Sequence, residues 1–117
     1  MTKQEHLKRL DDLILLEEGW NDGCPAMHPK SVEATRSIIE NMDLRDGYLF
    51  PSWDDSVGII NIEWNLNGED LDFDFLTNET VQVYRYNGEE FSYEEIVSFN
   101  DYPKLQAIID KFTEGQL

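Results

Sequence analysis

Two alternating segments joined by Asn67-Gly68 constrain the fold of this chain more than any other feature of its sequence. Apolar and polar residues alternate from Val57 to Trp64 and again from Asp70 to Leu76. A period of two is typical of a strand with one buried face. Asn-Gly favours a tight two-residue turn whose twist matches that of the flanking strands. The sequence therefore predicts an antiparallel hairpin here.

The turn also fixes which side chains share a face of this hairpin. With Leu66 opposite Glu69, one face carries only apolar side chains, namely Ile60, Ile62, Trp64, Leu71, Phe73 and Phe75. The other face carries polar and acidic side chains, namely Asn61, Glu63, Asn65, Asp70, Asp72 and Asp74. We therefore expect one face to be buried in a core and the other to be charged.

Helical spacing of apolar residues marks three further segments, Lys3 to Leu16, Val32 to Met42 and Pro103 to Phe112. Ser31 is the expected N-cap of the second helix. Between the second and third helices, strand patterns and a second tight turn at Asn87-Gly88 predict four or five strands. We therefore predict a single α+β domain over residues 1–117, with two N-terminal helices, an antiparallel sheet of four or five strands and a C-terminal helix.

The register of the strand from Val81 to Tyr86 stays open. A two-residue turn at Asn78-Glu79 would place Phe73 beside Tyr84. A three-residue turn would place Phe73 beside Val83.

The chain is strongly acidic, with 25 Asp and Glu against 9 Lys and Arg and a net charge of −16. From Asp54 to Asp101 there are thirteen acids and one base, Arg85. This segment is also the richest in strand-forming residues, so the charge belongs to the sheet. Because such a charge repels nucleic acids and anionic lipid, the expected partner is a basic protein and neither direct nucleic-acid nor membrane binding is predicted.

Other features of the sequence indicate a cytoplasmic location. No apolar run approaches the roughly 20 residues of a membrane span, and the N-terminus lacks the apolar core of a signal peptide. The single Cys24 cannot form an internal disulfide. Cys24 and His28 could supply half of a zinc site, but the chain has no second cysteine, so a structural thiol is the simpler interpretation.

Two groups of residues are candidates for binding a partner. The first lies on the charged face of the hairpin and comprises Glu63, Asp70, Asp72 and Asp74. The second lies in predicted turns and comprises Trp53, Asp54, Asp55, Glu89 and Glu90. The carboxylates on one strand lie about 6.6 to 6.8 Å apart, whereas phosphates on one DNA strand recur about every 3.4 Å. The charged face could therefore mimic nucleic acid only if several strands contribute, and a solvated face that keeps the protein soluble is the alternative.

The sequence predicts neither an enzyme nor a cofactor, because it carries no glycine-rich phosphate loop and no hydrolase motif. A calcium loop beginning at Asp70 would require Gly at its sixth position and Glu at its twelfth, where this chain has Phe75 and Val81. A small metal-dependent hydrolase that uses the Asp cluster stays open as an alternative.

The segment from Glu18 to Ser31, which contains Gly19-Trp20-Asn21, resembles a signature of small bacterial and phage proteins. That signature is Gly-Trp-Asp/Asn, a Gly-containing turn, then Ala, Pro and a helix. The segment from Gly58 to Trp64 is similar to the family's Gly-Val-x-Leu-Glu-Trp strand, with one extra residue. The resemblance covers about residues 18–86, implies a phage or mobile-element setting and carries over no catalytic residues.

Charge and resemblance together predict a non-catalytic inhibitor that docks on a basic, nucleic-acid-binding partner. It would act as a nucleic-acid mimic of the anti-CRISPR or anti-restriction type. An antitoxin or regulatory subunit of a basic toxin is the alternative within the same class.

Overall fold

The computed structural model describes residues 1–16 and 25–115. Its elements, in chain order, are α1 (Lys3–Ile14), α2 (Pro29–Asn41), β1 (Tyr48–Asp54), β2 (Val57–Leu66), β3 (Glu69–Phe75), β4 (Thr80–Tyr86), β5 (Phe91–Ser98) and α3 (Tyr102–Thr113). This α+β arrangement of two helices, a five-stranded antiparallel sheet and a closing helix confirms the predicted fold class. Gly19 and Trp20 of the signature segment, and Cys24 with its predicted thiol role, lie outside the described residues.

The sheet is a meander in which each strand pairs with its neighbour in sequence, in the order β1-β2-β3-β4-β5. The β2–β3 register is the one that the turn predicts, with Ile62 opposite Phe73 and Trp64 opposite Leu71. Asn67 and Gly68 have φ angles of 54° and 79°, as a twisted two-residue hairpin turn requires. The apolar face of this hairpin is therefore fixed by local turn chemistry.

The connection between β3 and β4 is a three-residue turn, so Phe73 lies opposite Val83. The Leu76 N–H donates to the Thr80 carbonyl oxygen at 3.0 Å and closes the loop. Glu79, the last loop residue, has a φ angle of 65°. A left-handed residue at the end of the loop is typical of three-residue hairpins, which explains why this register occurs.

The core lies between the sheet and the helices. α1 packs against β1, α2 against β2 and β3, and α3 against β2. The largest fully buried side chains come from all three helices and from β1, β2 and β3, namely Phe73, Phe75, Leu10, Leu13, Ile38, Ile39, Leu49, Ile60, Ile62, Leu71, Leu105 and Ile109. Trp64 contacts Phe73 edge to face, with the ring centroids 4.8 Å apart. The three helices thus share one face of the sheet, and the opposite face is called the outer face below.

Ser31 is not the N-cap of α2, so that prediction is wrong. The helix begins at Pro29, and its N-cap is His28, whose Nδ1 accepts a hydrogen bond from the Lys30 N–H at 3.1 Å. Ser31 is fully buried, and its hydroxyl donates to the Phe75 carbonyl oxygen at 2.6 Å. The same hydroxyl accepts from the Ile60 N–H at 2.9 Å. The hydroxyl therefore joins the first turn of α2 to the backbone of β2 and β3.

α1 ends at Ile14, two residues before the predicted end, and Leu15 is its C-cap.

In residues 1–16 and 25–115, no helix combines the length and the apolar character that crossing a membrane requires.

Candidate functional site

Four carboxylates from two adjacent strands lie together on the outer face. Asp70, Asp72 and Asp74 alternate along β3, and Glu63 in β2 is directly opposite Asp72. Side chains at alternate positions of a strand share a face and lie about 6.8 Å apart, whereas directly opposite pairs lie about 5 Å apart. These four residues are called the acidic column.

Neutral amides from β2, rather than cations, bind the aspartates of the acidic column. The Asn61 Nδ2 donates to Asp72 at 3.2 Å and to Asp74 at 2.8 Å. Asn65 donates to Asp70 at 2.6 Å. Across the described part of the chain, no Lys, Arg or His side chain forms an ion pair with any member of the column. The column therefore keeps its capacity to bind a positive charge from outside.

Aromatic side chains flank the acidic column on both sides. On one side, in β1, Tyr48 is paired with Glu63 and Phe50 is paired with Asn61. The centres of the Tyr48 and Phe50 rings are 4.9 Å apart. On the other side, in β4, Tyr84 is paired with Asp72. Its ring contacts that of Phe91 in β5 at 5.6 Å, and Phe91 also contacts Tyr86 at 5.2 Å. These two groups are called the aromatic borders.

Asp72 is the most buried carboxylate of the column, with 7 % of its surface exposed. Desolvation raises the pKa of its carboxyl group to about 7, although the hydrogen bond from Asn61 opposes the shift. The neighbouring charges of Glu63, Asp70 and Asp74 raise this pKa further. Asp72 is therefore only partly ionised near neutral pH.

The pKa values of Glu63 and Asp74 are raised as well. Desolvation raises the pKa of Glu63, and the nearby charge of Asp70 adds to the shift. Desolvation also raises the pKa of Asp74, against hydrogen bonds from Asn61 and Tyr84 that lower it. Burial and the Asp74 charge in turn raise the pKa of the Tyr84 hydroxyl.

The interpretation of this face as fully solvated is therefore wrong at Asp72. Polar residues alternate with apolar ones along β3, as predicted, but alternation does not reveal what flanks the strand. The side chains of Asn61, Glu63 and Tyr84 occupy the neighbouring positions and reduce the access of water to Asp72.

The turn residues of the second candidate group lie in different places relative to the acidic column. Trp53 is 54 % exposed but shares a strand face with the buried Leu49, so it lies on the helix side of the sheet. Asp54 is near enough to Asp74 to raise the pKa of that carboxyl group slightly, and Asp55 lies in the adjacent turn.

Glu89 and Glu90 are at the other end of the sheet, in the β4–β5 connection. Their backbone N–H groups both donate to the Asn87 Oδ1 at 3.0 Å. The structure thus brings together Glu63, Asp70, Asp72 and Asp74 on the outer face, with Asp54 near one end of the column, and places Trp53 on the opposite face.

The described residues give no support to a metal site. Within them, no group of three or more His, Cys, Asp or Glu side chains is arranged to hold a metal ion. His28 is engaged as the α2 N-cap, and Cys24 lies outside the described residues. The buried His6 donates from Nε2 to the Gly47 carbonyl oxygen at 2.8 Å, so it has a structural partner.

The four cavities described for residues 1–16 and 25–115 are lined by residues outside the acidic column. A cavity of about 400 Å³ lies where Met1, Lys3 and His6 meet the end of α2 and Gln106. On the outer face there is a small pocket of about 80 Å³, which is lined by Gln82, Tyr84, Phe91 and Glu94. The outer face is thus a shallow surface, suited to docking a macromolecule rather than enclosing a small substrate.

The aromatic borders were not predicted from the sequence. Tyr48-x-Phe50 and Tyr84-x-Tyr86 do alternate, and this is the signal that could have indicated them. It becomes informative only after the β1–β2 and β3–β4 registers place these rings on the face of the acids.

No protein-family model, no curated protein and no solved structure matches this chain in the three comparisons. The resemblance to small bacterial and phage proteins stays a prediction, and the function is argued from the geometry of the outer face.

Proposed function

We propose that this protein is a non-catalytic binding protein whose outer face docks on a basic segment of another protein and thereby inhibits it. The observation that carries the proposal is the position of Asp72, which is 7 % exposed and surrounded by three further carboxylates. Carboxylates that served only solubility would be fully hydrated. Desolvating them destabilises the fold, and such exceptions are concentrated at functional sites.

A cation from a partner would relieve this unfavourable arrangement. An opposite charge within about 4 to 6 Å favours the ionised form of a carboxyl group, so a bound Lys or Arg would lower the raised pKa of Asp72. The rings of Tyr84, Tyr86 and Phe91 add faces that attract cations, whereas the Tyr48 ring already lies under the Arg9 guanidinium, 5.0 Å from its centre. A guanidinium group suits this surface best, because it binds carboxylates in a bidentate manner and also stacks on aromatic rings.

The proposed partner is a nucleic-acid-binding protein. Such proteins present clustered Lys and Arg side chains that contact phosphates, and these side chains cannot contact nucleic acid while they bind the acidic column. The column spans two strands and is flanked by aromatic rings, so any mimicry would be local and would match only a few phosphates. A cytoplasmic inhibitor of a CRISPR or restriction system fits this mechanism, and so does an antitoxin of a basic toxin.

Calorimetric titration with a ten-residue arginine-rich peptide tests this proposal. The column variant combines Glu63→Gln, Asp70→Asn and Asp74→Asn, which remove three charges without altering side-chain size. The matched control combines Asp12→Asn, Glu33→Gln and Glu40→Gln, which remove three charges from exposed positions on α1 and α2. The column variant should bind the peptide at least about tenfold more weakly than the wild type, because charge-assisted hydrogen bonds are lost. Equal weakening in the control would mean that net charge alone attracts the peptide and would contradict the proposal.

A further inference from the structure

The two edges of the sheet differ in how they are protected. At the β1 edge, the Arg9 Nε donates to the Leu49 carbonyl oxygen at 3.1 Å and the His6 Nε2 donates to the Gly47 carbonyl oxygen at 2.8 Å. Pro51 in the same strand has no N–H to offer. Side chains of α1 and a proline thus block β1 against the addition of another strand, as natural sheet edges usually are blocked.

The β5 edge has no comparable protection. In the part of the chain that the structure describes, β5 pairs with no strand other than β4. On its other side, the Asp101 N–H donates to the Ser98 carbonyl oxygen at 3.1 Å, which occupies an acceptor at the very end of the strand. The Phe99 N–H donates to the Glu79 carbonyl oxygen at 3.2 Å, which sets the alternation of the β4–β5 hydrogen bonds. By that alternation Glu95 and Val97 face β4, and the N–H and C=O groups of Glu94 and Ile96 point outward.

The geometry points to β5 as the site where an extended, basic segment of the partner adds to the sheet as a sixth strand. This inference rests on the proposed function and specifies how the basic partner is held. Outward backbone groups at alternate residues supply the hydrogen bonds of strand addition, a common mode of peptide recognition. Ile96, which is 58 % exposed, offers an apolar contact beside them.

Charge selects a basic segment as the occupant rather than a second copy of this chain. Glu94 lies on the outer side of β5, and Glu89 and Glu90 precede the strand. Lys104 reaches β5 from α3 and is already paired with Glu95, and Arg85, which lies opposite Tyr93 of β5, is paired with Glu69. Two copies joined along β5 would bring these acids together at a net charge of −16 each, which disfavours pairing.

A pocket beside the edge fits a cationic side chain of the added strand. The outer-face pocket of about 80 Å³ has two aromatic walls, Tyr84 and Phe91, and two polar walls, Gln82 and Glu94. The Glu94 carboxylate accepts a hydrogen bond from Gln82 at 3.1 Å and is still exposed. An ammonium or guanidinium group placed there meets both a carboxylate and ring faces.

Two synthetic peptides test the inference on the intact protein. The first is an eight-residue peptide of alternating Arg and Val, and the second is the same peptide N-methylated at every residue. The second keeps the charge but has no backbone donor. An Ile96→Pro variant is also tested, because it removes an outward N–H without removing a hydrogen bond to β4. Circular dichroism verifies that this variant folds, and amide hydrogen exchange reports protection at Glu94 and Ile96.

We expect the first peptide to slow exchange at Glu94 and Ile96, and the N-methylated peptide to bind about tenfold more weakly or worse. Ile96→Pro should weaken binding of the first peptide by a similar factor. Equal binding of both peptides, without protection at Ile96, would overturn strand addition. If, in that case, the column variant bound both peptides more weakly than the wild type does, the proposed function would still stand. Protection at Ile96 without peptide, in a dimer seen by sedimentation, would show that a second copy occupies the edge and would also overturn the inference.

Discussion

Asn61 donates its side-chain amide to Asp72 across the β2–β3 hairpin, at 3.2 Å, and this is the hydrogen bond that lowers the raised pKa of the buried carboxyl group. The same amide reaches Asp74 at 2.8 Å. One neutral side chain therefore donates hydrogen bonds to two carboxylates. These bonds stabilise the negative charge less than a bound cation would. The outer face holds charge that the described chain itself does not neutralise.

The raised pKa of Asp72 predicts how stability depends on pH. Between about pH 4 and pH 7 the folded protein holds a proton on Asp72 that the unfolded chain has released, so ionisation destabilises the fold as the pH rises. Asp72→Asn removes this effect. The free energy of unfolding of the variant, relative to the wild type, should increase over that range by up to about 1.4 kcal/mol per pH unit and then level off.

Urea denaturation at several pH values measures this difference, with the exposed Asp12→Asn as the control. A difference between Asp72→Asn and the wild type that stays constant from pH 4 to pH 8 would show that Asp72 is not desolvated.

The core face of the hairpin predicts unequal effects of two phenylalanine substitutions. Phe73 is fully buried and contacts Trp64 and Phe75, whereas Phe91 is 61 % exposed. Phe73→Ala should lower the free energy of unfolding by about 3 to 5 kcal/mol because it leaves a cavity. Phe91→Ala should lower it by less than about 1 kcal/mol. Thermal or urea unfolding measures both, and comparable losses would contradict the assignment of the two faces.

The hydroxyl of Ser31 predicts a local effect within the sheet. Ser31→Ala leaves the Ile60 N–H and the Phe75 carbonyl oxygen without the bridging group, so we expect a loss of about 2 kcal/mol. Amide exchange at Ile60 should become faster, whereas the exposed Ser56→Ala should change neither quantity. Unchanged exchange at Ile60 would mean that the hydroxyl does not bridge the strands.

Binding to the arginine-rich peptide should depend on salt. The screening length falls from about 10 Å at 0.1 M salt to about 3 Å at 1 M, so attraction by the acidic column weakens over that range. We expect slower association and weaker binding as the salt concentration rises, measured by surface plasmon resonance. Affinity that is independent of salt would point instead to an apolar interface.

The sequence predicts the fold where one local signal determines the answer. Asn67-Gly68 sets the β2–β3 register, and helical spacing locates α1, α2 and α3 to within a few residues. Other features depend on competing signals. Ser31 has the side chain of an N-cap, but its hydroxyl forms its bonds in the sheet, and the less typical His28 caps the helix instead. The β3–β4 turn required a left-handed Glu79, which the residue type does not indicate.

The sequence predicts which residues form the acidic column, but it does not predict how deeply Asp72 is buried within it. The alternation of β3 places Asp70, Asp72 and Asp74 on one face. The burial of Asp72 depends on side chains from β2 and β4, whose positions follow from two registers, one of which stayed open. The same dependence explains why the aromatic borders were not predicted.

The most direct test of whether a basic partner docks on the acidic column is the pKa of Asp72, measured by carboxyl carbon NMR with and without the arginine-rich peptide. We predict a pKa of about 7 in the unbound protein. The pKa should fall by at least about one unit when the peptide is saturating, because a bound cation favours the ionised carboxylate. Peptide binding that leaves this pKa unchanged would place the binding site elsewhere and contradict the proposal that the acidic column receives a basic partner.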